Sequence, residues 1–139
     1  MKVLFLDIDG VLNNSKTKEK INIPSGEFTG VDTKLLNKLL VWLDGKDIKI
    51  VLSSSWRLDP NTFYYLNDRG IFWIDVTPGR IGKRGLEIKA WLDLHPEVTK
   101  YAILDDINDL YPVGRYFVQT SSRGLEDKHL KCLDKIYDS

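Results

Sequence analysis

A short apolar run that ends in two acids constrains this chain more than any other feature: Val3-Leu-Phe-Leu6 leads straight into Asp7-Ile-Asp9-Gly10. Four consecutive apolar residues fit a strand covered on both faces at the centre of a parallel sheet. Asp-x-Asp at the carboxyl end of such a strand sets two like charges side by side in partly desolvated surroundings. That is unfavourable unless a cation or a ligand offsets it, and a divalent metal is the expected partner. The pair alone is a weak sign, because 15 aspartates in 139 residues give about 1.6 such pairs by chance. Its setting strengthens it: a strand before, Gly10 for a tight turn after, and Val11-Leu12 returning to the core.

At 139 residues and 42% hydrophobic, the chain reads as one domain, 1–139, able to bury a core without staples. The single cysteine, Cys132, excludes an internal disulfide and suits a reducing compartment. No stretch approaches the roughly 20 apolar residues of a membrane helix, and Met1-Lys2 leads directly into a strand, so a soluble, cytoplasmic protein is expected. Basic and acidic side chains balance at 20 each, so no global field draws the chain to nucleic acid. Any polyanion contact is local, with Lys16, Lys18 and Lys20 in one loop and Arg80, Lys83 and Arg84 in another as candidates.

Asn13 to Gly30 is polar, contains Pro24 and Gly26, and is longer than most connections in a compact domain. It reads as a flap, with Ile21, Ile23 and Phe28 able to form a small hairpin. Asp32 or Thr33 caps a helix whose stripe is Leu35, Leu36, Leu39, Leu40 and Leu43, and Gly45 ends it. A second strand, Ile48–Leu52, runs into Ser53-Ser54-Ser55-Trp56-Arg57. Three hydroxyls and a guanidinium there can form a phosphate cradle; serines in such a position also serve as helix caps or turns.

Asp59-Pro60 opens a helix that Gly70 closes, and Ile71–Val76 reads as a third strand. Lys83 and Arg84 precede a helix carrying Ile88, Trp91 and Leu92. Cations at a helix amino terminus oppose the macrodipole, so they suit an anion better than they suit stability. A fourth strand, Tyr101–Leu104, again ends in acid, Asp105-Asp106-Ile-Asn-Asp109. Tyr116–Val118 is a short fifth strand, and a last helix buries Leu130, Leu133, Ile136 and Tyr137. His129 and Cys132 on it lack the further ligands a tetrahedral metal site needs.

Strands alternating with helices predict a three-layer, Rossmann-like α/β sandwich: a mostly parallel five-stranded sheet with helices on both faces, and a short flap, residues 13–30, in place of a cap domain. Ligands of such sheets sit beyond the carboxyl ends of the strands. The polar clusters after the first, second and fourth strands all fall on that edge.

In order and spacing, Asp7-Ile-Asp9-Gly10-Val11, Ser53, a basic residue before a later helix, and Asp105-Asp106 resemble the four motifs of the haloacid dehalogenase (HAD) superfamily. Leu-Asp-Ile-Asp-Gly-Val-Leu-Asn, Val-Leu-Ser-Ser-Ser-Trp-Arg, Arg84-x-x-Glu87-Ile88-x-x-Trp91-Leu92 and Ile-Leu-Asp-Asp are similar to the HAD domains of Swiss-army-knife RNA repair proteins. The resemblance implies a phosphomonoester hydrolase. Asp7 would be the nucleophile that forms an aspartyl-phosphate, and Asp9 the general acid and then base. Ser53 and Ser54, with Arg57 and either Lys83 or Arg84, would hold the phosphoryl group. Magnesium would lie among Asp7, the backbone carbonyl of Asp9, and Asp105 or Asp106. Without a cap the site would be open to a large phosphorylated substrate, and the resemblance favours a nucleic-acid end. Phosphatase action on free nucleotides or small metabolites, and a non-catalytic phosphate-binding module, are the alternatives. No feature specifies an oligomeric state.

Overall fold

The computed structural model describes residues 1–139. Strand β1, Lys2–Leu6, is buried on both faces from Val3 onward. Its neighbours are β4, Ile48–Leu52, and β6, Lys100–Asp105, each pairing with it in parallel along five residues. The edges are a two-residue strand β5, Asp75–Val76, beside β4 and a three-residue strand β7, Phe117–Gln119, beside β6. The order is β5-β4-β1-β6-β7 and every pairing is parallel.

Alternation along β1 sorts its side chains into two cores. Leu4 and Leu6 face the larger one, with Leu39 and Trp42 of helix α1 (Thr33–Leu43), Leu66 of α2 (Asn61–Asp68), and Leu133 and Tyr137 of α4 (Asp127–Asp138). Val3 and Phe5 face the smaller one, where Ile88 and Trp91 of α3 (Arg84–Asp93) pack with Leu110 and Val113. The result is the expected sandwich, with three helices on one face and one on the other. No helix is long and apolar enough to cross a membrane.

Local chemistry accounts for the helix ends. Asp32, not Thr33, caps α1, accepting from the Lys34 and Leu35 amides at 2.9 and 3.3 Å. His129 closes a capping box with Glu126 at the start of α4, so this buried imidazole has a structural partner.

Two strands are shorter than expected. Of Ile71–Val76 only Asp75 and Val76 pair: Ile71 fills the core below α2, its amide bonded to the Leu66 carbonyl, while Phe72 and Ile74 are exposed. At the other edge Tyr116 belongs to a 3₁₀ turn, Gly114–Tyr116, and pairing begins one residue later. The flap does contain a hairpin, β2 (Lys20–Ile23) against β3 (Gly26–Thr29), with Ile21 opposite Phe28.

Candidate active site

Hydrogen bonds between neighbouring strands continue one residue past the sheet, and that continuation aims the polar side chains. The Asp7 amide donates to the Leu104 carbonyl, Ser53 to Leu6, Thr77 to Leu52 and Thr120 to Asp105, all at 2.9 to 3.1 Å. Residues 7, 53 and 105, which lie far apart in sequence, thus share one rigid edge.

Carboxylate oxygens of Asp7, Asp105 and Asp106 lie within 4.8 Å of one another. Asp7 and Asp105 are buried, and Asp106 is more open. Gly10 makes this approach possible. It has a left-handed φ of +83°, and a β-carbon there would collide with the Asp106 carboxylate.

One cation faces the cluster. Arg84, the first residue of α3, places a guanidinium nitrogen 3.3 Å from Asp7 and 2.9 Å from Asp105. Its helix comes this close because Gly85 sits against the carbonyls of Leu110 and Tyr111, where any side chain would strike backbone. Lys83, the other basic candidate, is exposed and has no acidic partner, so geometry singles out Arg84.

Three acids against one arginine leave negative charge in excess. Burial, and then the Asp105 carboxylate, push Asp7 up to about 8 despite the opposing pull of Arg84. Asp106 is also raised, again first by burial and then by Asp105. Burial works against the charge on Arg84, but Asp7 and Asp105 outweigh it and hold the guanidinium firmly protonated. Ionising Asp7 at neutral pH would therefore take further positive charge beside it. The donor set fits a hard divalent cation: three close carboxylate oxygens with the backbone of the Asp7–Asp9 turn beside them.

Asp9 stands apart from the cluster, in a groove. Its carboxylate accepts from Asn13 Nδ2 at 2.9 Å, and Asn13 also accepts from the Gly10 amide and donates to the Gly30 carbonyl. Asn13 was not among the expected site residues. In the sequence it is only the first residue of a polar run, Asn13-Asn14-Ser15-Lys16, after Val11 and Leu12, yet the structure buries it. Thr120, likewise unexpected, fixes the same turn from the other side by donating to the Gly10 carbonyl at 2.7 Å.

The serine-rich turn divides its residues between site and scaffold. Ser53 is fully buried at the end of β4 and its hydroxyl has no protein partner. A buried hydroxyl left unpaired costs on the order of 1–3 kcal/mol, which a ligand oxygen would relieve. Ser54 has a scaffold role: its hydroxyl accepts from the Trp56 amide and caps the 3₁₀ turn Ser55–Leu58.

Arg57 corrects the expectation of a phosphate ligand. Its five N–H donors meet the carbonyls of Thr77, Ser53, Ser54 and Pro78 and the carboxylate of Glu87, the last at 2.9 Å. None remains for a phosphate. Arg57 and Glu87 form a buried strut that joins the end of β4 to α3.

Beside the acids runs a groove of about 950 Å³, lined by Asp9 and Asp106 and by Ile23 and Phe28 of the flap among others. A smaller hollow of about 440 Å³, which shares Ser55 and Asp106 with the groove, reaches Arg84. The site is open, as expected for a chain with a hairpin in place of a cap.

Comparison with known families agrees with this geometry. A family model described as the HAD domain in Swiss Army Knife RNA repair proteins matches residues 3–130. No curated protein and no solved structure matches the chain.

Proposed function

Because this chain belongs to the family of HAD domains in Swiss Army Knife RNA repair proteins, we propose that it is a magnesium-dependent phosphomonoesterase acting through an aspartyl-phosphate, with residues 1–139 as one catalytic domain. The observation that carries the reading is the convergence on one sheet edge of Asp7, Asp105 and Asp106, the Arg84 guanidinium, and an unpartnered Ser53 hydroxyl.

In this reading an Asp7 oxygen attacks phosphorus and the bond to the leaving oxygen breaks, while Asp9 gives that oxygen a proton. Asp9 then removes a proton from the water that releases inorganic phosphate and regenerates Asp7. Arg84 and the Ser53 hydroxyl hold the phosphoryl oxygens, and Asn13 keeps Asp9 aimed across the groove. The carboxylates of Asp7 and of Asp105 or Asp106, with the Asp9 carbonyl, would hold magnesium, which would supply the positive charge the cluster lacks.

A terminal phosphate on a nucleic acid is the preferred substrate, supported by the open site and the RNA-repair family. One observation favours free nucleotides as a second reading: the groove is lined by Asp9, Asp59 and Asp106 and by no lysine or arginine.

The test is release of inorganic phosphate from 3′- and 5′-phosphorylated oligonucleotides and from mononucleotides, with magnesium or with chelator. Asp7→Asn is expected to lower turnover at least about a thousandfold. Hydrolysis that survives both chelation and Asp7→Asn would overturn the proposal, and a strong preference for mononucleotides would establish the second reading.

A further inference from the structure

The groove beside Asp9 has chemistry of its own. Its acidic residues are Asp9, Asp59 and Asp106, and no basic side chain lines it. A second phosphate inside it would face negative charge with nothing to neutralise it. Uncharged groups make up much of the remainder, among them Asn14, Ser15, Ser25, Ser121 and Ser122, and Phe28 of the flap adds an exposed aromatic ring to the lining. These surfaces suit a neutral, hydroxyl-bearing body with a flat apolar end.

Phe28 is about half exposed although it stands opposite Ile21, which is buried. The base of its hairpin is nevertheless held in place. The hairpin is tied to α2 where the Val31 amide donates to the Tyr65 hydroxyl at 2.9 Å, and closed at its base where the Gly30 amide donates to the Glu19 carbonyl at 2.9 Å. Asn13 then joins the hairpin to the catalytic turn, bonding Gly30 at 3.0 Å and Asp9 at 2.9 Å. The foot of the hairpin is therefore tied to the turn that carries Asp9 by a short chain of hydrogen bonds, so little backbone has to order when a ligand binds.

We infer that Phe28 is the stacking platform for the nucleobase of the nucleotide carrying the scissile phosphate, and that the hydroxyl- and amide-walled groove takes its sugar. The inference rests on the phosphomonoesterase reading and adds to it a substrate class: a nucleoside monophosphate unit with one phosphate at Asp7 and none in the groove. Stacking on a phenyl ring tolerates any base, so selectivity should be for the presence of a base and not for its identity. A free mononucleotide offers that unit alone, whereas the last nucleotide of a strand adds a phosphodiester that would have to leave the groove beyond the sugar.

Binding to Asp7→Asn protein in magnesium tests this without turnover. The probes are the four nucleoside 5′-monophosphates and their 3′ isomers, ribose 5-phosphate as a ligand without a base, and a 3′- or 5′-phosphorylated trinucleotide. With Phe28 present, nucleotides should bind about fivefold to a hundredfold more tightly than ribose 5-phosphate, the ordinary range for base–aromatic stacking. Phe28→Leu should bring that ratio toward one, and Phe28→Tyr should restore it. Comparing the mononucleotide and trinucleotide arms shows which source is preferred. A ratio near one with Phe28 present, or one unchanged by Phe28→Leu, overturns the inference. Hydrolysis without base preference would sink the stacking role and leave the phosphatase reading standing. Base-dependent binding by a protein whose unmodified form hydrolyses nothing would do the reverse.

Discussion

Two regions of this molecule hold the same chemical pair, arginine against carboxylate, and use it in opposite ways. At the strut, Arg57 meets Glu87 and four backbone carbonyls, and all of its donors are satisfied. At the rim, the carboxyl edge of the sheet, Arg84 faces Asp7 and Asp105 with Asp106 close behind, three acids against one cation. A balanced buried pair holds two elements together. An unbalanced one is poised to take up another positive charge, and a polar atom left without a partner beside it, Ser53 Oγ, points the same way. The state of satisfaction, more than the residue types, separates scaffold from site.

The largest effect that tests this contrast is on stability. Arg57→Ala should leave Glu87 buried and uncompensated and four carbonyls without their donor, lowering unfolding free energy by about 3–5 kcal/mol in denaturant titrations. Replacing both partners, Arg57→Met with Glu87→Leu, should recover part of that loss, because no lone charge is then buried. A stable Arg57→Ala protein that fails to bind inorganic phosphate would move Arg57 to the rim and erase the distinction.

Arg84→Met should behave in the converse manner. Loss of a preorganised cation from the phosphoryl site is expected to lower kcat/KM by about a hundredfold to a thousandfold. The change in unfolding free energy, measured in magnesium, should be smaller than for Arg57→Ala. The rim was already short of positive charge and holds fewer bonds to the scaffold. Equal losses of stability in the two variants would show that both arginines are struts.

The contrast also marks where reading the chain by eye succeeds. The central strands were legible because Val3–Leu6 and the runs before Ser53 and Asp105 are buried on both faces, so apolarity alone identifies them. The carboxyl-edge rule then predicted which polar residues would meet. Ile71–Val76 misled because Phe72 and Ile74 are apolar yet exposed, and composition cannot tell such residues from paired ones. Arg57 was illegible for a stronger reason. Four of its partners are carbonyls, which every residue possesses, and Thr77, Pro78 and Glu87 come from loops and helices 20 to 30 positions away. Asn13 shares that property: its role comes from contacts with Gly10, Asp9 and Gly30 that only the folded flap creates.

The gentlest test is a slope with pH. In the unfolded chain the Asp7 carboxyl titrates near 3.8, and in the folded, metal-free protein it is held up to about 8. Between those values the folded state keeps a proton that the unfolded state has released. Metal-free stability therefore falls as pH rises through the window, by no more than about 1.4 kcal/mol per pH unit for one group. Asp106 is shifted in the same direction, so Asp7→Asn should flatten the slope without abolishing it. Magnesium should oppose the trend, since it favours the ionised cluster and its stabilising effect grows with pH. Denaturant midpoints at pH 5, 6, 7 and 8, with chelator and with magnesium, measure all three curves. Parallel curves for the unmodified protein and Asp7→Asn would mean that the rim carries no excess charge, and its contrast with the Arg57 strut would disappear.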